Sequence, residues 1–336
     1  MKVGIIGLGT ISAIHVRAFD AHPSVQISAI AESDRMLLRK HAGLAPPGHQ
    51  YRDYHDLLKD KDVDVVDILL PHSLHAPVIR EALQAGKHVI CEKPLVINPN
   101  DITSISALSK RMSKSVYPKQ YFRFSSLHQK AKALMSRGDI GRPYLISATY
   151  TVNALDSFTN LGSWRGNTKE AGGGILMDVG IHMIDYLMEL FGDPLSVWAT
   201  AKKNFSSLPT KGEDLTVTTI EFRQNIVASM ICTAADSSYG FRWEKHIFGS
   251  EGSIHLTDDG KTHMELVLRK NGEVVVTETE DNWWDHANLG AITDIVDRII
   301  RGEPPAVSLL EVKEAIQVIT GAYQSAKLGK KIYLRM

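Results

Sequence analysis

The chain has 336 residues, enough at roughly 150 per domain for two domains. Hydrophobic residues make up 43% and charged residues 23%, which excludes a disordered tail, a collagen-like rod and a disulfide scaffold. Thirty-eight Lys and Arg balance 38 Asp and Glu, so no basic excess points to nucleic acid.

The densest basic stretch, with Lys110, Arg111, Lys114 and Lys119, reads as a solvated helix end. Cys91 and Cys232 lie in apolar runs and read as buried small hydrophobes. Apolar runs fall short of the ~18 residues needed to span a membrane. Val3 to Ile14 imitates the apolar core of a signal peptide, but Gly4, Gly7 and Gly9 interrupt it. The expected location is the cytoplasm.

In chain order, Lys2 to Gly7 reads as a strand and Ile11 to His22 as a helix. Val25 to Ala31 and Val63 to Leu70 are further apolar strands, the second ended by Pro71. Ala76 to Ala85 reads helical, His88 to Cys91 as a strand, Pro99 to Met112 as a helix and Ser115 to Gln120 as a strand. Alternation of this kind predicts a doubly wound parallel sheet, apolar on both faces. Beyond residue 123 the pattern changes. Strands are expected at Tyr144 to Val152, Ser196 to Lys202, Leu215 to Arg223, Ile226 to Thr233, Glu244 to Phe248, Gly252 to Leu256, Met264 to Arg269 and Glu273 to Glu278. Many alternate apolar and polar residues, the mark of an antiparallel sheet with one wet face. Helices are expected near 175–191, 285–301 and 308–328. The division is α/β over 1–122 and α+β, on a large mostly antiparallel sheet, over 123–336.

Gly7-Leu8-Gly9-Thr10-Ile11-Ser12 joins the first strand to the first helix. The first glycine permits a tight turn, and the second lets backbone approach a pyrophosphate at the helix N-terminus. Ser12 stands where a third glycine is usual. Glu32 ends the second strand, where a carboxylate accepts from a ribose 2′-hydroxyl and repels a 2′-phosphate, favouring NAD over NADP. Arg35, close behind, is the residue that would hold a 2′-phosphate instead. Pro71, His72 and His75 follow the third long strand, on the side where such sheets bind ligands. As a pair, the two histidines lack a further metal ligand nearby, so no metal is expected.

Glu92-Lys93-Pro94 ends the next strand. A lysine there can stabilise negative charge developing on a substrate oxygen. In the second half, Gly172-Gly173-Gly174 offers close backbone access just before an apolar helical run. On that run Asp178, His182, Asp185 and Glu189 recur at helical spacing as one polar stripe. His182 could take a proton from an alcohol, and Asp178 could orient the imidazole or bind a second hydroxyl. The bland alternative is an exposed helix face. Trp164-Arg165 upstream adds an aromatic wall and a fixed charge. No strand–Gly-x-Ser-x-Gly–helix elbow is present, which argues against a serine hydrolase. Trp243, Trp283 and Trp284 suit core packing better than a sugar-binding wall. His246, His255, His263 and His286 read as ordinary strand or surface residues.

Taken together, these residues resemble the Gfo/Idh/MocA oxidoreductases, typified by glucose–fructose oxidoreductase, inositol 2-dehydrogenase and the rhizopine catabolism protein. The resemblance rests on Gly7-Leu8-Gly9, Pro71 with His75, Glu92-Lys93-Pro94, Tyr121-Phe122-Arg123-Phe124, Trp164-Arg165, the run Gly173 to His182 and Ser325-Ala326-Lys327-Leu328-Gly329. It implies a Rossmann domain, an α+β domain whose open sheet face makes dimers or tetramers, and NAD(P)-linked chemistry on sugars, inositols or related polyols. It implies that Lys93 polarises the reacting hydroxyl, His182 is the general acid/base, Asp178 supports it and Arg123 contacts substrate. Trp164 and Arg165 are expected beside cofactor and substrate. Gly7, Leu8, Gly9, Thr10, Ile11, Glu32, Pro71, His72, His75, Glu92 and Gln120 fall where the family touches the cofactor. His72 stands where asparagine is common and Leu70 where threonine is common. Two rival functions are an NAD-retaining glycoside hydrolase and a non-catalytic NAD(P) sensor.

Overall fold

The computed structural model describes residues 1–154, 163–204, 212–235, 241–259 and 262–335. It comprises two compact units, Met1–Gln120 with Asn288–Lys313, and Tyr121–Ala287 with Glu314–Met336.

The first unit is built on six strands: β1 (Lys2–Ile6), β2 (Gln26–Ala31), β3 (Gln50–Tyr51), β4 (Val65–Ile68), β5 (His88–Cys91) and β6 (Val116–Pro118). Their order is β3-β2-β1-β4-β5-β6 and every pairing is parallel. Helices α1 (Ser12–Ala21), α2 (Arg35–Lys40), α3 (Tyr54–Lys59), α4 (His72–Gln84) and α5 (Asn100–Met112) connect them. The order reverses between β1 and β4, which opens a crevice at the carboxyl ends of those strands. Strands buried on both faces explain why Val3 to Ile6 reads as an unbroken apolar run and why Val65 to Ile68 is apolar apart from the buried Asp67.

Set against the division expected at residue 122, the break between the compact units differs in two respects. It falls after Gln120, and Asn288–Lys313 joins the first unit. The reason is packing: Ile292, Ile295 and Val296 lie in one buried cluster with Val3, Ile5, Phe19, Ile30 and Tyr117. A segment so far along the chain has no local signal of its destination.

Among its described residues the second unit contains nine strands: β7 (Pro143–Val152), β8 (Pro194–Lys202), β9 (Leu215–Phe222), β10 (Ile226–Thr233), β11 (Phe241–Gly249), β12 (Ser253–Asp258), β13 (His263–Lys270), β14 (Glu273–Asp281) and β15 (Ile332–Tyr333). They run in the order β14-β13-β12-β11-β7-β10-β9-β8-β15. Among these described strands β7 and β10 pair in parallel and the other neighbours are antiparallel. Along β9 and β12 burial alternates residue by residue, as the alternating sequence predicts. The helices are α6 (Ser126–Ser136), the short α7 (Thr168–Ala171), α8 (Ile181–Phe191), α9 (Trp283–Arg301) and α10 (Leu309–Leu328); the last two run across the division between units.

Candidate active site

At the rim of the first sheet, the turn after β1 needs its first glycine. Gly7 has φ +95°, and a Cβ there would lie 2.6 Å from the Leu69 carbonyl oxygen. Gly9 is different: a Cβ would meet no atom within 4 Å. The protein's own packing therefore does not demand glycine at that position. The open space is a cradle of the kind a pyrophosphate needs beside a helix N-terminus. Ser12, in the third position, donates its hydroxyl to the Gly9 carbonyl at 2.7 Å and so helps to close the turn.

Glu32 directly follows β2 and turns back onto this loop. Its carboxylate accepts from the Leu8 N–H at 2.8 Å and from the Asp34 N–H at 3.0 Å. Arg35 is exposed at the start of α2, whose N-terminus Asp34 caps through the Met36 and Leu37 N–H groups. Pro71 precedes α4, and His72 and His75 are buried in its first turn. The ring nitrogens of His75 lie 2.8 Å from the carbonyl oxygens of Pro94 and Leu70. His75 thus sits between the loop after β4 and the turn after β5, and burial holds its pKa below the ordinary value.

That second turn carries Glu92 and Lys93. The Glu92 carboxylate accepts from the Lys93 N–H at 3.0 Å and from the buried Lys119 ammonium at 2.6 Å. Burial alone would raise its pKa, but Lys119 and His15 override this and hold it well below the usual carboxylate range. Lys119 was expected on a solvated helix end; it is instead a buried partner of Glu92 just beyond β6. The signal was β6 itself, which places Lys119 at the sheet rim rather than on the preceding helix. Sequence reasoning also passed over His15 and Asp67. Of the two acids in the run Val63 to Leu70, Asp64 and Asp67, the one inside β4 was the available clue.

Gln120 follows Lys119. It is buried, and its carbonyl oxygen accepts no hydrogen bond among the described residues. An open glycine cradle after β1 and a buried orphan acceptor after β6, both beyond carboxyl ends of strands in one parallel sheet, fit a dinucleotide: Gly7 to Ile11 would hold its pyrophosphate, Glu32 a ribose, and Gln120 a polar group.

In the second unit the expected helix over 175–191 is not uniform. Leu176–Gly180 forms a π-helical turn before α8 begins. A Cβ on Gly180 would lie 2.7 Å from Leu176 Cδ1, the end of a flexible side chain. Gly173 and Gly174 do not leave open backbone. A Cβ on Gly174 would lie 2.0 Å from the Glu213 carbonyl oxygen, and one on Gly173 would lie 2.1 Å from the Tyr323 hydroxyl. Glu213 accepts from the Gly174 and Leu176 N–H groups, both at 2.9 Å, and from Tyr323 at 2.9 Å.

The polar stripe is not an exposed face. Asp178, His182 and Asp185 are each at most 6% exposed. Every carboxylate on it meets a cation from another segment. Arg165 Nε donates to Asp178 at 2.9 Å, Arg123 grips Asp185, and Lys132 Nζ reaches Glu189 at 2.8 Å. Arg165 also covers the Trp164 ring at 4.3 Å. The His182 ring lies 4.6 Å from Tyr121 and 5.4 Å from Phe122 between centroids, nearly parallel to the latter. Trp243 and Trp283 are buried in the same aromatic cluster, so they serve the core as the sequence suggested.

A six-stranded 3-2-1-4-5-6 parallel sheet with a glycine turn at its switch point defines a dinucleotide-binding fold, and here it is joined to an α+β unit. Family models sharpen this. Residues 1–120 match the NAD-binding Rossmann fold of an oxidoreductase family, and residues 132–334 match that family's C-terminal alpha/beta domain. The chain belongs to the Gfo/Idh/MocA oxidoreductase family, and the resemblance drawn from its motifs holds. It is 24% identical over 338 residues to the myo-inositol 2-dehydrogenase of Thermotoga maritima, covering 99% of this chain and 98% of that protein. It is 29% identical over 266 residues to the trans-1,2-dihydrobenzene-1,2-diol dehydrogenase of Xenopus laevis, covering 76% and 74%. A levoglucosan dehydrogenase solved with NADH and levoglucosan shares its fold at a TM-score of 0.87 and 22% identity, over 100% of both chains. Among the described residues no helix is long and apolar enough to cross a membrane.

Proposed function

We propose that this oxidoreductase moves a hydride between NAD and a CH–OH carbon of a sugar, inositol or related cyclic polyol. The observation that carries the reading is Lys93, held by its own backbone N–H to Glu92 at the rim of the dinucleotide-binding sheet. When bound, the nicotinamide accepts or returns the hydride. The rest is the chain's own chemistry. Lys93 lends its ammonium to the reacting oxygen and stabilises charge as it develops. His182 takes the hydroxyl proton, a role suited to an imidazole. Asp178, fixed by Arg165, is placed to orient a neighbouring hydroxyl or the imidazole. Glu32 supports NAD over NADP, because a 2′-phosphate would meet its carboxylate. The relatives that act on inositol and on a cyclic diol support a ring bearing adjacent hydroxyls.

Self-association through the second sheet belongs to the same reading. Across that sheet Trp198, Thr219, Ser229, Ser147, His246 and His255 follow one another in register, and none of them is buried. A second copy suits such a row of small and aromatic side chains, giving a dimer or tetramer. The cytoplasm is the compartment we assign, where two buried free thiols stay reduced.

The test is fluorescence titration of NADH and NADPH, followed by absorbance at 340 nm with a panel of inositols, aldoses and their oxidised forms. Net reduction of NAD by one polyol is the expected result. Tight NADH binding with turnover of chromogenic glycosides, and no net reduction, would replace the reading with an NAD-retaining hydrolase.

A further inference from the structure

A buried charge network lies beneath the rim, and its function rests on the catalytic role proposed for Lys93. His15 sits on α1, Asp67 on β4, Glu92 after β5 and Lys119 after β6; their exposures are 0, 0, 7 and 2%. His15 Nδ1 lies 2.8 Å from Asp67 Oδ2, and His15 Nε2 lies 3.2 Å from Glu92 Oε1. Lys119 donates to the same Glu92 oxygen, while the other Glu92 oxygen accepts from the Lys93 N–H.

A neutral imidazole has one N–H, and its other nitrogen is an acceptor. Here both ring nitrogens face carboxylate oxygens, so only the imidazolium can donate to both. Charge counting agrees. Asp67 and Glu92 bring two negative charges and Lys119 one positive, so a protonated His15 makes the group neutral where burial punishes a net charge. Asp67 Oδ1 is buried and has no hydrogen-bond partner among the described residues, so this carboxylate depends on the His15 bond to its other oxygen. The charged groups facing His15 are Asp67 from β4, Glu92 after β5 and Lys119 after β6. Burial works against the charged ring, but Asp67 and the hydrogen bonds to both carboxylates prevail and raise its pKa.

We propose that His15 is a positioning residue: held as an imidazolium, it fixes the Glu92 carboxylate that anchors the Lys93 backbone, and losing its proton at alkaline pH slackens that anchor and lowers turnover. Because His15 lies on the helix that follows Gly7 to Ile11, the same network joins the phosphate-binding helix to the turn bearing Lys93.

The test uses the full-length chain labelled with ¹⁵N-histidine. Long-range ¹H–¹⁵N spectra are read at about pH 7.5, one unit above the ordinary histidine value of about 6.5. His15 is assigned by its absence in His15→Gln or, should that variant not fold, by its displacement in Asp67→Asn. Two protonated nitrogens are expected; a neutral tautomer at that pH overturns the proposal. This readout needs no substrate, so a chain that turned over no polyol would count against the functional reading alone. The second arm is the pH profile of kcat. The alkaline limb is expected to share the midpoint of the His15 titration. It should vanish in the double variant His15→Gln/Asp67→Asn, which keeps the network neutral. His15→Gln alone should lose about tenfold or more in kcat with little change in NADH affinity, and the double variant should recover most of it. An unmoved limb, or no recovery, overturns the positioning role.

Discussion

Asp185 holds Arg123 with both carboxylate oxygens. Arg123 Nε donates to Oδ2 at 3.0 Å and Nη2 donates to Oδ1 at 2.7 Å. The pair is largely buried, with side-chain exposures of 11% and 2%, so neither charge is well hydrated. Arg123 was expected to touch substrate. Its clearest structural duty is to fix the segment after Tyr121 and Phe122, whose rings lie against His182. Asp185→Asn keeps the volume and removes the charge. Breaking a buried pair of this kind costs about 3–5 kcal/mol, discounted here toward the lower value for the partial exposure of Arg123. Urea denaturation should show this loss, and a change within about 0.5 kcal/mol would show that the pair is idle.

Two glycines with similar sequence settings should behave in opposite ways. Gly9→Ala places a methyl in open space and should leave the thermal midpoint nearly unchanged. It should also weaken NADH binding by about tenfold or more, since the methyl stands where backbone must approach phosphate. Gly174→Ala drives a methyl into the Glu213 backbone and should unfold the second unit or lower its midpoint sharply. Fluorescence titration and a thermal melt on both variants decide the matter. A stable Gly174→Ala would remove Glu213 as the reason for that glycine.

Much of this architecture was legible because it is local. Apolar runs such as Val63 to Leu70, stopped by Pro71, mark buried parallel strands, and the alternation of Leu215 to Phe222 marks the one-sided sheet. The glycine turn, Glu32 and Lys93 were legible because each sits at a strand end. What escaped was non-local. The burial of Asp178 and Asp185 depends on Arg165 and Arg123, whose partners the chain order does not announce. Helical periodicity could not show that a π turn interrupts the run at Leu176–Gly180. The glycine triplet looked like open backbone because Glu213 and Tyr323, which fill the space, lie far along the chain.

Glu32 should decide the choice of dinucleotide. Its carboxylate is already oriented by the Leu8 and Asp34 N–H groups, so it is fixed before any ribose arrives. Glu32→Ser removes the charge and the ribose acceptor. A hydrogen bond to a charged group contributes about 1.5–3 kcal/mol, so the ratio of NADH to NADPH affinity should fall by at least about tenfold. Direct titration of both dinucleotides checks this, and an unchanged ratio would take the discrimination away from Glu32.

Lys93→Met and His182→Ala should each lower turnover by at least about 10²-fold, the usual scale for losing an acid–base or charge-stabilising group. NADH affinity should hold within about threefold, because neither side chain is needed for the glycine turn or Glu32 to bind it. Single-turnover absorbance at 340 nm separates the two effects. Near-normal turnover in either variant would remove that residue from the mechanism.

The raised pKa of His15 also makes a stability prediction that needs no substrate. In the unfolded chain the imidazole titrates near about 6.5; in the folded chain it holds its proton to higher pH. Above the unfolded value the native state therefore binds more protons than the unfolded state, so stability falls as pH rises. The contribution is complete below the unfolded pKa and is lost as pH passes through the folded one. One group gives a slope of at most about 1.4 kcal/mol per pH unit. His75, His88, His128 and His246, all with lowered values from burial, add the opposite slope at lower pH. The useful quantity is thus the difference between the parent chain and the His15→Gln/Asp67→Asn variant. Urea titrations stepped upward from about pH 6.5 should show the parent losing stability faster than the variant. Parallel curves would mean that His15 carries no extra proton in the folded state.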